Sequence, residues 1–81
     1  MPQIKGWERV SDLPRYNLWR NNYKDVSLLL EPSPNPHTPE IWDKWELFFQ
    51  KEGNKIGSRV FDTKEQGMKE AIGFMKRNPR G

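Results

Sequence analysis

An 81-residue chain with no cysteine limits this protein to one small domain without disulfides or thiolate metal sites. Hydrophobic residues make up 33% of the chain and aromatic residues 12%, so a few large rings must supply much of the buried area, and the formal net charge is +3. No apolar run approaches the roughly 20 residues of a membrane-spanning helix, and the first residues lack a signal-peptide pattern, so we expect a soluble cytoplasmic protein with no membrane partner.

Residues 1–14 are predicted to be an N-terminal arm that Trp7 anchors to the body of the domain. A short strand over residues 7–10 is the alternative to an irregular arm, and it would add a strand to the sheet. Residues 11 and 12 are Ser and Asp and stand just before Pro14, a combination that predicts a turn.

Residues 15–31 have the pattern of a β-hairpin, with Asn21 and Asn22 near its tip because asparagine tolerates the positive φ of tight hairpin turns. The register that we predict places Arg20 opposite Asp25, which joins opposite charges across the two strands.

The same register places Trp19 opposite Val26, so that an aromatic ring packs against a β-branched side chain. Side chains alternate between the two faces of a strand, which puts one set of apolar residues on the buried side. The predicted buried face of this hairpin consists of Trp19, Val26, Leu28 and Leu30.

Residues 32–40 hold four of the seven prolines, so we expect an extended, irregular connection between two hairpins. Proline-rich segments also serve as polyproline-type ligands, an alternative that the proline spacing leaves open. His37, the only histidine, lies in this loop and has no partner for a histidine-based acid–base pair or metal cluster. We therefore predict that His37 is a solvated loop residue.

Residues 41–61 are predicted to form a second hairpin, with strands over residues 42–51 and 55–61 and a turn at residues 52–54, Glu-Gly-Asn. One face of this hairpin is nearly all apolar and is the expected core. In the predicted register Trp45 lies opposite Val60, Leu47 opposite Ser58 and Phe49 opposite Ile56.

The other face of this hairpin is predicted to interleave phenylalanine rings with cations. Rings stack on nucleic-acid bases while cations follow the phosphates, so an exposed sheet of this kind is typical of small modules that hold single strands. This face carries Lys44, Glu46, Phe48, Gln50, Lys55, Gly57, Arg59 and Phe61, with Glu46 opposite Arg59. The alternative is that the N-terminal arm or the first hairpin covers Phe48 and Phe61, which would make these rings a second small core.

A C-terminal helix is predicted over residues 62–78, beginning at Asp62 or Thr63, since both starts fit the spacing of a capping box. The helix has a single apolar stripe at positions i, i+3, i+4 and i+7. The stripe consists of Met68, Ala71, Ile72 and Met75. A close approach to the sheet would explain Gly67 on the flank of this stripe, whereas Gly73 projects to the opposite side and has no packing reason.

These elements predict an α+β domain over residues 1–81, with a four-stranded, mostly antiparallel sheet and one C-terminal helix packed on one face. The sheet has five strands if the N-terminal strand forms. From Lys55 onward the chain holds seven Lys/Arg against three Asp/Glu, so the basic excess lies on the second hairpin and helix. Such a surface is compatible with polyanion binding, and a plain solvated surface is the alternative.

The chain lacks the residue patterns of catalytic sites. Its carboxylates are scattered among lysines and arginines at ordinary surface spacing, and no glycine-rich loop is suited to phosphate, because Gly53 and Gly57 are turn and strand residues. We therefore predict that the protein is not an enzyme and uses no cofactor or metal.

The sequence predicts instead a non-catalytic module that binds DNA or RNA through the basic and aromatic sheet face. The residues expected to contact nucleic acid are Lys44, Phe48, Lys55, Arg59 and Phe61, with Lys69, Lys76, Arg77 and Arg80 as electrostatic support. The alternative is a protein-interaction or homodimerisation module that uses exposed aromatic residues or an edge strand.

The segment VFDTKEQGMKEA, which ends the second hairpin and opens the helix, resembles the three-stranded-sheet-plus-helix modules of plant AP2-type transcription factors and integrase arm-binding domains. The resemblance covers about half of the chain. It implies that the sheet enters the major groove of DNA, with Arg59 and neighbouring lysines as the contacts.

Over most of its length the chain is also similar to a group of small uncharacterised archaeal proteins. The shared features are MPQI followed by Trp7, the RNN of residues 20–22, the KW pair at residues 44–45 and TKE at residues 63–65. This similarity implies no established activity, and the basic composition departs from the acidic one expected of salt-loving members.

Overall fold

Five strands and one helix follow one another along residues 4–81, the part of the chain that a computed structural model describes. Each strand pairs antiparallel with the next, so the sheet has the order β1-β2-β3-β4-β5. The elements are β1 (Trp7–Leu13), β2 (Tyr16–Asn21), β3 (Val26–Ser33), β4 (Lys44–Lys51), β5 (Asn54–Phe61) and α1 (Lys64–Arg77). The α+β class, the antiparallel sheet and the fifth, N-terminal strand are confirmed. No helix in these residues is long and apolar enough to cross a bilayer.

The N-terminal arm forms a longer strand than its sequence predicts. Trp7 is buried and starts β1, which confirms its anchoring role, but β1 continues through residues 11 and 12, where a turn was expected. The turn lies at Pro14 and Arg15, because Leu13 pairs with Tyr16. Proline fixes φ at a value that suits a turn and has no N–H to contribute to the ladder. The first three residues of the predicted arm lie outside the described residues.

The first hairpin is shifted from the predicted register by two residues. Arg20 lies opposite Ser27 rather than Asp25, because residues 22–25 stay outside the ladder. The side-chain oxygen of Asn21 accepts hydrogen bonds from the backbone N–H groups of residues 23 and 24, at 2.8 and 2.9 Å, which holds this longer turn. Asn21 does not act through a positive φ, as the sequence had suggested.

A shift by two residues leaves every side chain on its predicted face, because side chains alternate with a period of two. Trp19 lies opposite Leu28 instead of Val26, yet the predicted set still shares one face. Trp19, Leu28 and Leu30 are buried, and Val26 packs against them. The predicted core of this hairpin is therefore confirmed although its register is wrong.

The proline-rich connection spans residues 34–43, because β3 continues through Ser33 and β4 begins only at Lys44. It is held by Asn35, whose backbone N–H donates to the Ile41 carbonyl at 2.7 Å and whose side-chain oxygen accepts the His37 N–H at 2.8 Å. The predicted strand start at residue 42 is wrong, and His37 is exposed as expected.

The second hairpin keeps its predicted register only next to the turn. Glu52 and Gly53 both have positive φ, as in a type I′ turn, and Gln50 lies opposite Lys55. Beyond this pair the register shifts, because Ile56 is an extra residue in β5 and forms a β-bulge. Trp45 therefore lies opposite Phe61, Leu47 opposite Arg59 and Phe49 opposite Gly57, one residue away from the predicted partners.

A shift by one residue moves every later side chain of β5 to the other face. Ile56 and Val60, which were predicted to be core residues, are 65% and 48% exposed. Arg59 and Phe61, which were predicted to lie on the outer face, join the face of Leu47 and Trp45. The single bulge thus exchanges the two faces of β5 from Gly57 onward.

Helix α1 packs over the apolar face of the sheet, mainly on β3, β4 and β5. Thr63 is the N-cap, and its hydroxyl accepts the Gln66 N–H at 3.2 Å. The predicted stripe faces the core: the most buried side chains beneath and within the helix are Leu28, Leu30, Leu47, Ala71 and Met75, with Met68 and Ile72 packed beside them.

The two helix glycines provide a test of this packing. A methyl group on Gly67 would lie 2.6 Å from the Cδ1 atom of buried Leu30, whereas one on Gly73 would meet only the flexible Arg77 guanidinium at 3.1 Å. Ala gains about 0.8–1 kcal/mol over Gly in a helix, but overpacking a core costs about 1–3 kcal/mol. In urea unfolding we expect G73A to be more stable than wild type by close to the full helix gain and G67A to be less stable. A G67A variant as stable as G73A would contradict the contact with Leu30.

Candidate functional site

The structure divides the predicted binding residues between the two faces of the sheet, which we call the helix-covered face and the open face. Arg59 and Phe61 lie on the helix-covered face. The Nη1 atom of Arg59 is 2.9 Å from Oε1 of Glu70 on α1, and Phe61 packs against the core. The prediction that these two residues share the outer face with Phe48 is therefore wrong, because of the bulge at Ile56.

Phe48 and Lys55 remain on the open face, where the Lys55 ammonium lies 4.0 Å from the centre of the Phe48 ring. The N-terminal arm and the first hairpin do not cover Phe48, because they extend the sheet sideways as β1, β2 and β3. Lys44 is on the open face too, but its Nζ atom is 2.7 Å from Oδ1 of Asp62. This hydrogen bond raises the pKa of Lys44.

The open face is not basic. In the observed register it carries three Lys/Arg and three Glu side chains, so the face has no net charge. Its charged residues are Glu8, Arg20, Glu31, Lys44, Glu46 and Lys55.

Cations gather instead at one end of the sheet, which we call the basic end. In an antiparallel sheet of this order, the start of β1, the β2–β3 turn and the β4–β5 turn lie at the same end of the strands. The helix also ends there, because residues 78 and 79 contact β1 and β2. The basic end carries Lys5, Lys24, Lys51, Lys55, Lys76, Arg77 and Arg80, with Asp25 and Glu52 as the side-chain carboxylates of its two turns in the described chain, while Glu8 nearby is paired with Arg20.

All seven of these side chains are exposed, and within residues 4–81 none forms an ion pair. The ion pairs of the described chain involve Arg9, Arg20, Lys44 and Arg59, which lie elsewhere. Cations without a carboxylate at ion-pair distance are neutralised less than paired ones, so the basic end carries the largest group of unpaired cations in the described part of the protein.

Charge is divided unevenly along the whole strand axis. When each element is divided at its midpoint, the half that contains the basic end holds nine Lys/Arg and three Asp/Glu, a net charge of +6. The other half holds five Lys/Arg and eight Asp/Glu, a net charge of −3. The two values add up to the +3 of the chain. The small net charge is therefore the sum of a strongly positive half and a negative half.

Hydrogen bonds among the start of the described chain, the β2–β3 turn region and the segment after α1 hold the basic end together. The indole N–H of Trp7 donates to the Asn78 carbonyl at 2.9 Å, and the side-chain amide of Asn21 donates to the Pro79 carbonyl at 3.2 Å. The backbone N–H of Asn22 donates to the Gly6 carbonyl at 2.8 Å. These contacts bring the segments that carry Lys5, Lys24 and Arg80 to one place.

Tyr23 adds an aromatic ring to this surface. Its side chain is 66% exposed, and its backbone N–H is fixed by Asn21. The other strongly exposed rings of residues 4–81, Tyr16 and Trp42, lie at the opposite end of the sheet. Tyr23 is therefore the exposed ring that stands among the unpaired cations.

Of the residues predicted from the sequence, the structure brings four together at the basic end: Lys55, Lys76, Arg77 and Arg80. Lys69 is exposed near the middle of α1 and lies apart from them. Sequence reasoning missed Lys5, Lys24, Lys51 and Tyr23. The signal that could have found Lys24 and Lys51 is the alternation of strand direction in the two predicted hairpins, because it places both hairpin turns at one end of the sheet.

No protein-family model matches the chain, and neither a curated protein nor a solved structure shows significant similarity to it. The resemblances to AP2-type and integrase arm-binding modules and to archaeal proteins stay predictions. Within residues 4–81 no three histidine, cysteine or carboxylate side chains are grouped as metal ligands would be.

Two glycines with nearly the same positive φ test the contact between Gly6 and Pro79 that supports the basic end. Gly6 has φ +84° and a methyl group there would lie 1.8 Å from the Pro79 carbonyl oxygen, whereas Gly53 has φ +80° and open space around it. An L-residue at positive φ costs about 1–2 kcal/mol, so G53A reports that strain alone. We expect G6A to lose about 1–3 kcal/mol more than G53A in urea unfolding, because it also forces Pro79 away. Equal losses would show that Pro79 does not pack on Gly6.

Proposed function

We propose that this protein is a non-catalytic nucleic-acid-binding module and that its binding surface is the basic end. The observation that carries the proposal is the group of seven exposed cations without carboxylate partners among the described residues. Nucleic acids present closely spaced phosphates, and cations that replace their counterions supply most of the sequence-independent affinity.

The distribution of charge favours the basic end over the open face for this role. A phosphate backbone near the open face meets as many carboxylates as cations, and Lys44 there is already paired with Asp62. At the basic end the same backbone meets cations that precede β1, lie in or beside the two hairpin turns, and end or follow α1. Attraction to that end and repulsion by the opposite, acidic half would also orient the protein as it approaches.

The ring of Tyr23 favours a single strand as the ligand. Bases in a duplex are stacked on one another, whereas the bases of a single strand are free to stack on an exposed aromatic side chain. Tyr23 projects from a turn whose backbone is held by Asn21 and it is followed by Lys24. A base on the ring and a phosphate on the adjacent lysine form the simplest mode of contact.

Substitutions of two lysines on α1 test whether nucleic acid binds at the basic end or elsewhere on the surface. Lys69 and Lys76 are both exposed and are two turns apart, so they lie on nearly the same side of α1. We expect K76A to weaken binding to a labelled oligonucleotide roughly three- to tenfold at 50 mM salt and to lower the slope of log K against log salt by about 0.7–1. K69A, the control, should change neither quantity appreciably.

Fluorescence anisotropy with DNA and RNA oligonucleotides over a series of salt concentrations measures both quantities. Equal effects of K76A and K69A would show that the binding surface is not the basic end. An absence of any salt-dependent binding at micromolar protein would refute the nucleic-acid function itself.

The two tyrosines of the chain test the stacking contact. Stacking of a base on an aromatic side chain is worth about 1–3 kcal/mol, so Y23A should weaken single-strand binding by about fivefold or more. Binding to a duplex should change little, because its bases are not free to stack. Y16A removes a tyrosine at the opposite end of the sheet and should leave both affinities unchanged. A Y23A variant that binds single strands as tightly as Y16A would exclude stacking on Tyr23.

A further inference from the structure

Strand β5 is an open edge of the sheet. It pairs with β4 on one side only, and residues 54–60 are all exposed. The strand contains no proline, so each of its residues has both a backbone N–H and a carbonyl group. An edge strand presents a row of such groups that another strand can pair with, and proteins commonly block it with proline, bulges or charges.

The two edges of the sheet differ in how they are blocked. On β1, Trp7 is buried and Arg9 is held by Asp12, and a bulge at Val10 interrupts the middle of the strand. On β5 the bulge lies near one end, at Ile56, and the rest of the strand continues regularly to Phe61. Ile56 and Val60 are exposed there with Ser58 between them. The β5 edge is therefore the more open of the two and carries an apolar pair.

One register of pairing between this edge and a second copy of the chain gives two apolar cross-strand pairs. Two antiparallel edge strands of identical subunits are related by a two-fold axis normal to the sheet, which keeps each side chain on its own face. An axis at Arg59 would bring two arginines together, and an axis at Gly57 would place Lys55 opposite Arg59. An axis at Ser58 places Ile56 of each copy opposite Val60 of the other, an apolar cross-strand pair that occurs twice.

The charge distribution favours the same arrangement. In an antiparallel pair of β5 strands, the basic half of one copy, with net charge +6, lies beside the half of the other copy that has net charge −3. Although β5 itself carries only the cations Lys55 and Arg59, the opposite net charges of the two halves favour the antiparallel orientation. A parallel pairing would instead bring the two basic halves together.

We propose that the protein forms a homodimer in which the β5 strands of two copies pair antiparallel about a two-fold axis at Ser58, creating a continuous ten-stranded sheet. The partner is a second copy of this chain. It is recognised by edge-strand hydrogen bonds, by the Ile56–Val60 contacts and by the opposite net charges of the two halves that adjoin. The proposal does not rest on nucleic-acid binding, because the basic end is not part of this interface except at Lys55.

Matched lysine substitutions at the two edges test the interface. Val60 on β5 and Val10 on β1 are 48% and 47% exposed, so V60K and V10K make the same change at equally accessible positions. In sedimentation velocity without nucleic acid, the wild type should approach twice the subunit mass of 9.7 kDa as its concentration rises. V60K should weaken dimerisation by about tenfold or more, because it removes the apolar pair at both symmetric sites, and V10K should dimerise as the wild type does.

A wild type that stays monomeric at several hundred micromolar would overturn the proposal, as would an equal effect of V60K and V10K. Circular dichroism and thermal unfolding of each variant establish that it is folded. Because these experiments contain no nucleic acid, their failure leaves the proposed function unaffected, and loss of nucleic-acid binding leaves the dimer unaffected.

A single cysteine tests the register independently of stability. The chain has no cysteine, so S58C introduces one thiol per subunit on the proposed axis. Directly opposed residues in antiparallel strands have Cα atoms about 4.5–5.5 Å apart, within the range that a disulfide spans. S58C should form a covalent dimer under mild oxidation much faster than V10C, the control on the other edge. A dimer in which S58C cross-links no faster than V10C would exclude this register.

Discussion

One extra residue in β5 decides which side chains of the second hairpin meet the helix. The type I′ turn at Glu52 and Gly53 sets a register that would bury Ile56 and Val60, and the bulge at Ile56 then shifts that register by one residue. Phe61 is thereby brought under the helix and Arg59 into reach of Glu70. The charge of the open face and the composition of the β5 edge both depend on this shift, because it removes Arg59 and Phe61 from the open face and leaves Ile56 and Val60 exposed along the edge.

The second constraint is the closure of the segment after α1 on the N-terminal strand. Trp7 combines a buried ring with an indole N–H that binds the Asn78 carbonyl, so packing and hydrogen bonding position the same segment. Gly6 permits the close approach because a side chain there would overlap the Pro79 carbonyl. The lysines and arginines of the basic end come from four separate parts of the chain. This closure brings together the part before β1, with Lys5, and the part at the end of α1, with Arg80.

Prediction from the sequence succeeded where a pattern had a period that only one structure satisfies. The stripe from Met68 to Met75 was correct, and of the two predicted helix starts Thr63 is the cap. The buried face of the first hairpin was correct as well, because a slip of two residues does not change the face of Trp19 or Leu28. It failed at the bulge, since an inserted residue leaves no periodic signal in a strand as short as β5. The candidate site was predicted in part: Lys55, Lys76, Arg77 and Arg80 stand together, whereas Lys44, Arg59 and Phe61 do not join them.

The sequence by itself determined the α+β class, the two hairpins, the capped helix and the basic excess of the chain, because local propensity, turn residues and apolar periodicity act over short distances. Only the tertiary structure decided where that excess lies. Lys5, Lys24 and Lys76 are far apart in the chain but lie at the same end of the sheet. Alternate turns of an antiparallel sheet share one end, and the helix ends there as well. The bulge likewise decided which face of β5 is buried, since burial under a helix depends on register across strands and not on the order of residues within one.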